Sequence, residues 1–188
     1  MFRHLKVIFG VFLCLLLLFS CKHQQKQSKT KTNTAQHSKP KQSEKSGTEG
    51  EIAMQQKLGI GLKEIHHDKL LRFVDDWYGV PYKYGGCKKD GVDCSCFACM
   101  LYETVYQTTL SRTASEMFKS CEQISSDEAK QGDLFFFKIN GDKISHVGVC
   151  VKQKYFVHAS TSKGVMLNSI EEAYYKKYFF CAGRIKKT

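Results

Sequence analysis

Three residues set far apart in the chain have the types and surroundings of a thiol nucleophile, a general base and an orienting group. They are Cys94 in Val92-Asp93-Cys94-Ser95, His146 in Ser145-His146-Val147-Gly148-Val149, and His158 in Phe156-Val157-His158-Ala159-Ser160. A free thiol is mostly protonated at neutral pH, and both a neighbouring imidazole and a helix N-terminus favour the thiolate. A third polar group then fixes the ring of the base and its tautomer. His66 and His67 fall on a short polar stretch and are expected on a solvated helix face.

The elements that must position these residues can be read from periodicity. Leu70-Leu71-x-Phe73-Val74-x-x-Trp77-Tyr78 has helical spacing and stops at Gly79 and Pro81. Tyr84 to Gly91 reads as a loop. Asp93 or Cys94 begins the next helix, with Phe97, Ala98, Leu101, Tyr102 and Val105 on its apolar side, and Thr113-Ala-Ser-Glu116 is a capping box opening a short one. The pattern then turns to short strands over Leu134–Phe137, Ser145–Lys152, Tyr155–Ala159 and Val165–Asn168, separated by Asn140-Gly141, Gln153-Lys154 and Lys163-Gly164. A helix over Ser169–Lys177 and a last strand over Tyr178–Ile185 complete the pattern. Helices first and strands later give an α+β order.

The N-terminus bears on location. Arg3 and Lys6 precede an apolar run from Val7 to Phe19, too short for a comfortable membrane span, and Leu18-Phe19-Ser20-Cys21 follows. A basic flank, a short apolar core and a small residue describe an export signal over 1–20. Cys21 after Ser20 resembles a bacterial lipobox, which implies cleavage before Cys21, lipidation of its thiol and anchoring to the membrane surface. The alternative is an ordinary signal peptide, or an uncleaved anchor, with an incidental Cys21. Lys22 to Gly50 holds seven Lys against two Glu and, apart from Ala35, no apolar residue, so 21–56 reads as the lipidated cysteine and a flexible basic linker. Of the formal charge of +11, Arg3, Lys6 and this linker account for most. The remaining 57–188 is expected to be one domain of ordinary size without the basic-aromatic stripe of a nucleic-acid binder.

Five ordered blocks resemble the NlpC-type cell-wall cysteine peptidases: Tyr82-Lys-Tyr84-Gly85-Gly86 through Gly91-Val92-Asp93-Cys94-Ser95, Ser111-Arg112-Thr113-Ala114, Gln131-Gly132-Asp133-Leu134-Phe135-Phe136, the His146 block, and Phe156 through Val165. The resemblance implies a papain-like α+β fold, with N-terminal helices packed on a C-terminal antiparallel sheet and the cysteine at a helix N-terminus. It also implies cleavage of amide bonds in peptidoglycan stem peptides, by a monomer in the cell envelope that needs no cofactor or metal. Cys94 would be the nucleophile, His146 the base and His158 its orienting group. Tyr82 would help hold the oxyanion, and Asp93 and Ser95 would line the substrate's acyl side. A carboxylate there suits a free amino group. Asp93 could equally be only a helix cap. A catalytically silent cell-wall binding module, or an amidase or acyltransferase on the same scaffold, remain alternatives.

Two features depart from that pattern. Cys96 stands where the family usually has glycine, and Ser111 where it often has proline. Seven cysteines, Cys87, Cys94, Cys96, Cys99, Cys121, Cys150 and Cys181, lie within 57–188. No spacing matches a disulfide framework, so most read as small buried hydrophobes. A zinc site at Cys94-x-Cys96-x-x-Cys99 is disfavoured, since residues two apart on a helix point about 200° from each other.

Overall fold

Thr48 opens the first helix, α1 (Glu49–Leu58), through a reciprocal cap: its hydroxyl accepts from Glu51 N at 3.1 Å, while its own N–H donates to Glu51 Oε2 at 2.8 Å. Gly59, at φ 63°, closes it. The computed structural model describes residues 47–186, so the expected signal, Cys21 and most of the linker lie outside the described residues. The end of the linker is corrected. Residues 49–56 are helical and pack on the later helix Lys69–Trp77, with Met54 and Leu58 buried. A helix with so few apolar residues has little pattern of its own and is held by its caps and its neighbour.

Helix α2 (Leu62–His67) leads to α3 (Lys69–Trp77), capped by Asp68, whose carboxylate accepts from Leu70 N and Leu71 N. Leu70, Leu71, Phe73, Val74 and Trp77 are buried, as their spacing predicts. His66 and His67 are exposed, His66 against Glu51 at 2.6 Å. A two-rung hairpin, β1 (Cys87–Lys88) with β2 (Gly91–Val92), delivers the chain to α4 (Cys94–Leu101). A π-helical turn (Tyr102–Tyr106) extends α4, and α5 (Ala114–Lys119) starts at its Thr113 cap.

The rest is one antiparallel sheet: β3 (Cys121–Ile124), β4 (Leu134–Phe137), β5 (His146–Lys152), β6 (Tyr155–Ser160), β7 (Gly164–Ser169) and β8 (Phe179–Ile185), with α6 (Ala173–Tyr178) before the last strand. The strand order is β3-β8-β4-β5-β6-β7. Edge strand β3 was not foreseen, because Cys-Glu-Gln-Ile lacks the aromatic and β-branched run that marks the other strands. Leu134, Phe136, Val147, Val149 and Val157 share a core with Trp77, Phe97 and Leu101. Phe135, Phe137, Phe156 and Tyr175 form a second cluster. Four consecutive apolar residues in β4 are thus divided between two cores. The expected α+β architecture, helices packed on an antiparallel sheet, is the observed one.

The tip of the β6–β7 hairpin docks on the segment after α3. Gly79 N donates to Val165 O, and Val165 N to Val80 O, both at 2.8 Å. Gly164, at φ 72°, permits this approach, since a Cβ there would run into the Val80 carbonyl. The hairpin carrying His158 is thereby fastened next to Tyr82.

Candidate active site

Cys94 is the first residue of α4. Asp93 caps that helix, its Oδ1 accepting from Cys96 N at 2.7 Å, which fixes the turn presenting the thiol. Only 8% of Cys94 is exposed. Burial pushes its thiol up, opposed by the backbone N–H groups of Val147, Ser95 and Cys94 itself, and Asp93 adds to the rise. Burial therefore outweighs the backbone N–H groups and favours the thiol over the thiolate.

His146 begins β5 and His158 lies on β6, with His146 Nε2 and His158 Nδ1 2.8 Å apart. His158 Nε2 lies 3.0 Å from Asn168 Oδ1 and 3.1 Å from the Tyr175 hydroxyl. The rings are walled by aromatics: Phe137 centres 5.7 Å from His146, and Phe156 4.9 Å from His158. Burial, then the neighbouring ring of His158, holds His146 well below its ordinary range; burial lowers His158 to about 4. Both rings are neutral at rest.

Cys94, His146 and His158 line one cavity of about 500 Å³, which Tyr82, Ser160, Lys163 and Tyr174 also border. A second cavity of about 410 Å³ lies on the Asp93–Arg112 side. Cys94, Tyr82 and Ser145 border both, so the nucleophile candidate stands between two recesses. Tyr82 is placed by a bridge to Val92, and burial raises its hydroxyl pKa, with Cys94 and Asp93 adding to the rise. Tyr82, Cys94, His146 and His158 thus border one cavity, drawn from an irregular segment, a helix and two strands.

Asp93 and Ser95 line the second cavity, but Asp93 is already matched. Its oxygens accept from Gly85 N, Ser95 Oγ, Cys96 N and both terminal nitrogens of Arg112, the nearest at 2.7 Å. Burial pushes the carboxyl up, yet Arg112, Cys96 N–H and Ser95 outweigh it and hold it below the usual range. Arg112 also donates to Ser95 Oγ at 2.8 Å. Sequence reading gave Arg112 no role, although it stood in one of the five blocks. Asn168, Glu172 and Tyr175 were missed as well. Their signals were a polar residue closing an apolar strand and the Ser169-x-x-Glu172 spacing, in which Glu172 Oε1 accepts from Ser169 N at 2.8 Å.

Cys96 is corrected: it forms a disulfide with Cys87, with Cα atoms 5.5 Å apart, joining the β1–β2 hairpin to the first turn of α4. The side chain in place of glycine is bonded to the β1–β2 hairpin and is not available to a metal. Cys121 and Cys150 are free and buried, as small hydrophobes would be; Cys99 and Cys181 are free and half-buried. Among the described residues no group of three or more His, Cys, Asp or Glu could hold a metal ion. Among them, too, no helix is long and apolar enough to cross a membrane.

Known proteins share both the sequence and the fold. The chain is 41% identical over 113 residues to the probable endopeptidase NlpC of Escherichia coli K12, covering 60% of this chain and 73% of that protein. It is 36% identical over 136 residues to a probable endopeptidase of Haemophilus influenzae, covering 72% and 84%. To the murein DD-endopeptidase MepS/murein LD-carboxypeptidase of Escherichia coli K12 it is 37% identical over 110 residues, 58% of each chain. Among solved structures, an NLP/P60-family lipoprotein-like protein of Staphylococcus aureus has the same fold at TM-score 0.57 and 23% identity, over 69% of this chain and 43% of that one. RipD of Mycobacterium tuberculosis, described as a non-catalytic NlpC/p60 domain protein, superposes at TM-score 0.51 and 16% identity, over 63% and 95%. The NlpC/P60 family pattern matches residues 79–184, a span holding Tyr82, Cys94, both histidines and every strand of the sheet but the last residue of β8, and the chain belongs to that family.

Proposed function

We propose that the chain is a cysteine peptidase hydrolysing amide bonds in peptidoglycan stem peptides or their crosslinks. The observation that carries this reading is the 2.8 Å contact between His146 and His158 on the cavity that Cys94 also lines. In this reading His146 takes the Cys94 proton as sulfur attacks the carbonyl carbon. Tyr82 helps hold the oxyanion, together with backbone N–H groups at the start of α4. The tetrahedral intermediate collapses to a thioester as His146 protonates the leaving amine. Water, deprotonated by His146, then releases the acid and restores the thiol. No cofactor enters these steps. Beginning from a neutral thiol and a neutral imidazole, charge is created only as the bond forms, beside rings that are themselves buried.

Asp93 and Ser95 with Arg112 form the acyl-side recess. Because Arg112 already neutralises Asp93, that recess offers a polar pair rather than a lone carboxylate for a substrate amine. Cys21 is read as the lipidated residue after removal of 1–20, holding a monomer to the membrane in the cell envelope, with peptidoglycan as partner. A silent binding module on the same fold is the rival, as RipD illustrates. Digesting purified peptidoglycan and identifying the fragments by mass tests both. New amide-bond products lost in Cys94→Ala support the peptidase; binding without cleavage leaves only the module.

A further inference from the structure

Each hydrogen bond in the chain from His146 to Asn168 could run in either direction, and only one direction leaves His146 Nδ1 unprotonated on a ring that lines the same cavity as Cys94. Tyr175 does not decide between them, because its hydroxyl can either donate to His158 Nε2 or accept from it at 3.1 Å. Glu172 does decide. Its carboxylate accepts only, and it holds two donors at once, Asn168 Nδ2 at 2.6 Å and Ser169 N at 2.8 Å. The Asn168 amide must then turn its oxygen to His158, so His158 carries its proton on Nε2 and offers the Nδ1 lone pair. His146 must donate to it from Nε2, which leaves His146 Nδ1 unprotonated.

We propose that Glu172 and Asn168 are positioning residues that set the polarity of the histidine relay. Glu172 orients the Asn168 amide, the amide fixes the tautomer of His158, and His158 fixes that of His146. The proposal deepens the peptidase reading and rests on it for its kinetic consequence. When the Cys94 proton passes to His146 Nδ1, the imidazolium already donates from Nε2 to a lone pair. The same oriented dipoles end on a carboxylate, which favours the new positive charge without a protein proton having to move. Glu172 also lies 3.8 Å from Lys57 of α1, so the relay reaches from the cavity to the first helix of the described chain.

Glu172→Gln tests this directly. A glutamine has one oxygen for two donors. With that oxygen on Ser169 N, its NH₂ faces Asn168, the Asn168 amide turns over, and the whole relay reverses. Histidine tautomers are read by ¹⁵N NMR of the full-length protein with labelled histidines, alongside kcat and KM on muropeptides. Wild type is expected to hold His146 as the Nε2–H tautomer. Glu172→Gln is expected to convert it to Nδ1–H and to lower kcat about 100-fold, the scale of a lost general base, with little change in KM. Adding Asn168→Asp to Glu172→Gln supplies an acceptor-only group against His158 and should restore both the tautomer and most of kcat. Glu172→Gln with an unchanged tautomer, whether or not activity falls, overturns the proposal. So does a double variant no better than Glu172→Gln. If wild type cleaves nothing, the peptidase reading fails while the tautomers still decide the relay; if wild type cleaves but the tautomer ignores Glu172, only the relay fails.

Discussion

The two recesses that meet at Cys94 are built from opposite materials. On one side two neutral imidazoles sit among Phe137, Phe156 and Tyr175, with His158 only 1% exposed. On the other, Asp93 and Arg112 form an ion pair at 2.7 Å whose arginine is 45% exposed. The buried ring pair suits proton transfer, because a charge created there is strongly felt by the groups aligned with it. The exposed ion pair suits holding a helix start. The thiol belongs to both, since Asp93 caps the helix that carries it and His146 borders its cavity.

The sharpest way to break this division is to remove the shared group. Cys94→Ala should abolish amide-bond cleavage, by on the order of 10³-fold or more, in a domain that still unfolds cooperatively. Retained activity there, with loss in Cys99→Ala instead, would place the nucleophile elsewhere. On the histidine side, His146→Ala should cost nearly as much as losing the thiol, because the two act as a unit. His158→Gln should cost less, about 10–100-fold, since an amide can still accept from His146. Turnover on muropeptides ranks the two, and a larger loss at His158 would exchange their roles.

The hairpin side is sharpened through stability. Replacing both Cys87 and Cys96 by serine should lower the unfolding free energy by about 2–3 kcal/mol, the entropy of a short closed loop, measured by urea titration against wild type under non-reducing conditions. Cleavage below the unfolding transition should persist, because neither sulfur is free. Arg112→Gln should cost less, about 1–2 kcal/mol, because water screens the exposed guanidinium, and should raise KM more than it lowers kcat. An equal fall in kcat/KM and kcat would mean that the charged side takes part in the chemistry.

The remaining effect is a displaced pH window. His146 is held well below 6.5 by burial, so the acid limb of kcat/KM should fall below pH 6.5 rather than at it. Stability follows the same sign through His158, at about 4 when folded against 6.5 unfolded. The unfolded chain binds the proton first, so the stability is complete above pH 6.5 and drains away as pH falls toward 4. A urea midpoint that held constant across that window would contradict the buried neutral ring.

What could be read in advance was what periodicity and chemistry write locally. The apolar face of α3, the helix start at Asp93-Cys94, the aromatic and β-branched strands β4 to β6 and the histidines on β5 and β6 were all visible in the sequence. Hidden were contacts whose signal lies in two distant places. Cys87 and Cys96 look like any two cysteines until the hairpin folds against α4. Arg112 declares itself only when Asp93 is in reach. Helix α1 has too few apolar residues to show a pattern, and its place on α3 is a tertiary fact, so the linker expected up to Gln56 ends earlier. The upward push of burial on the Cys94 thiol was hidden too, because a helix start is local and burial is not.

The strand order has a consequence for when the molecule can work. β8, the last strand in the chain, lies between β3 and β4 rather than at an edge. A growing or refolding chain can form the β4–β7 meander from neighbouring segments, but β3 has no partner until residues 179–185 arrive. Closing the sheet therefore waits for the most distant pairing in the sheet, the slow kind of step in which loop entropy is lost before contacts form. The second aromatic cluster, where Phe135 and Phe137 meet Phe179, is finished by the same event. Completion at the C-terminus acts as a timer: a chain cut short before β8 holds every residue of the site and lacks the frame that keeps them in place.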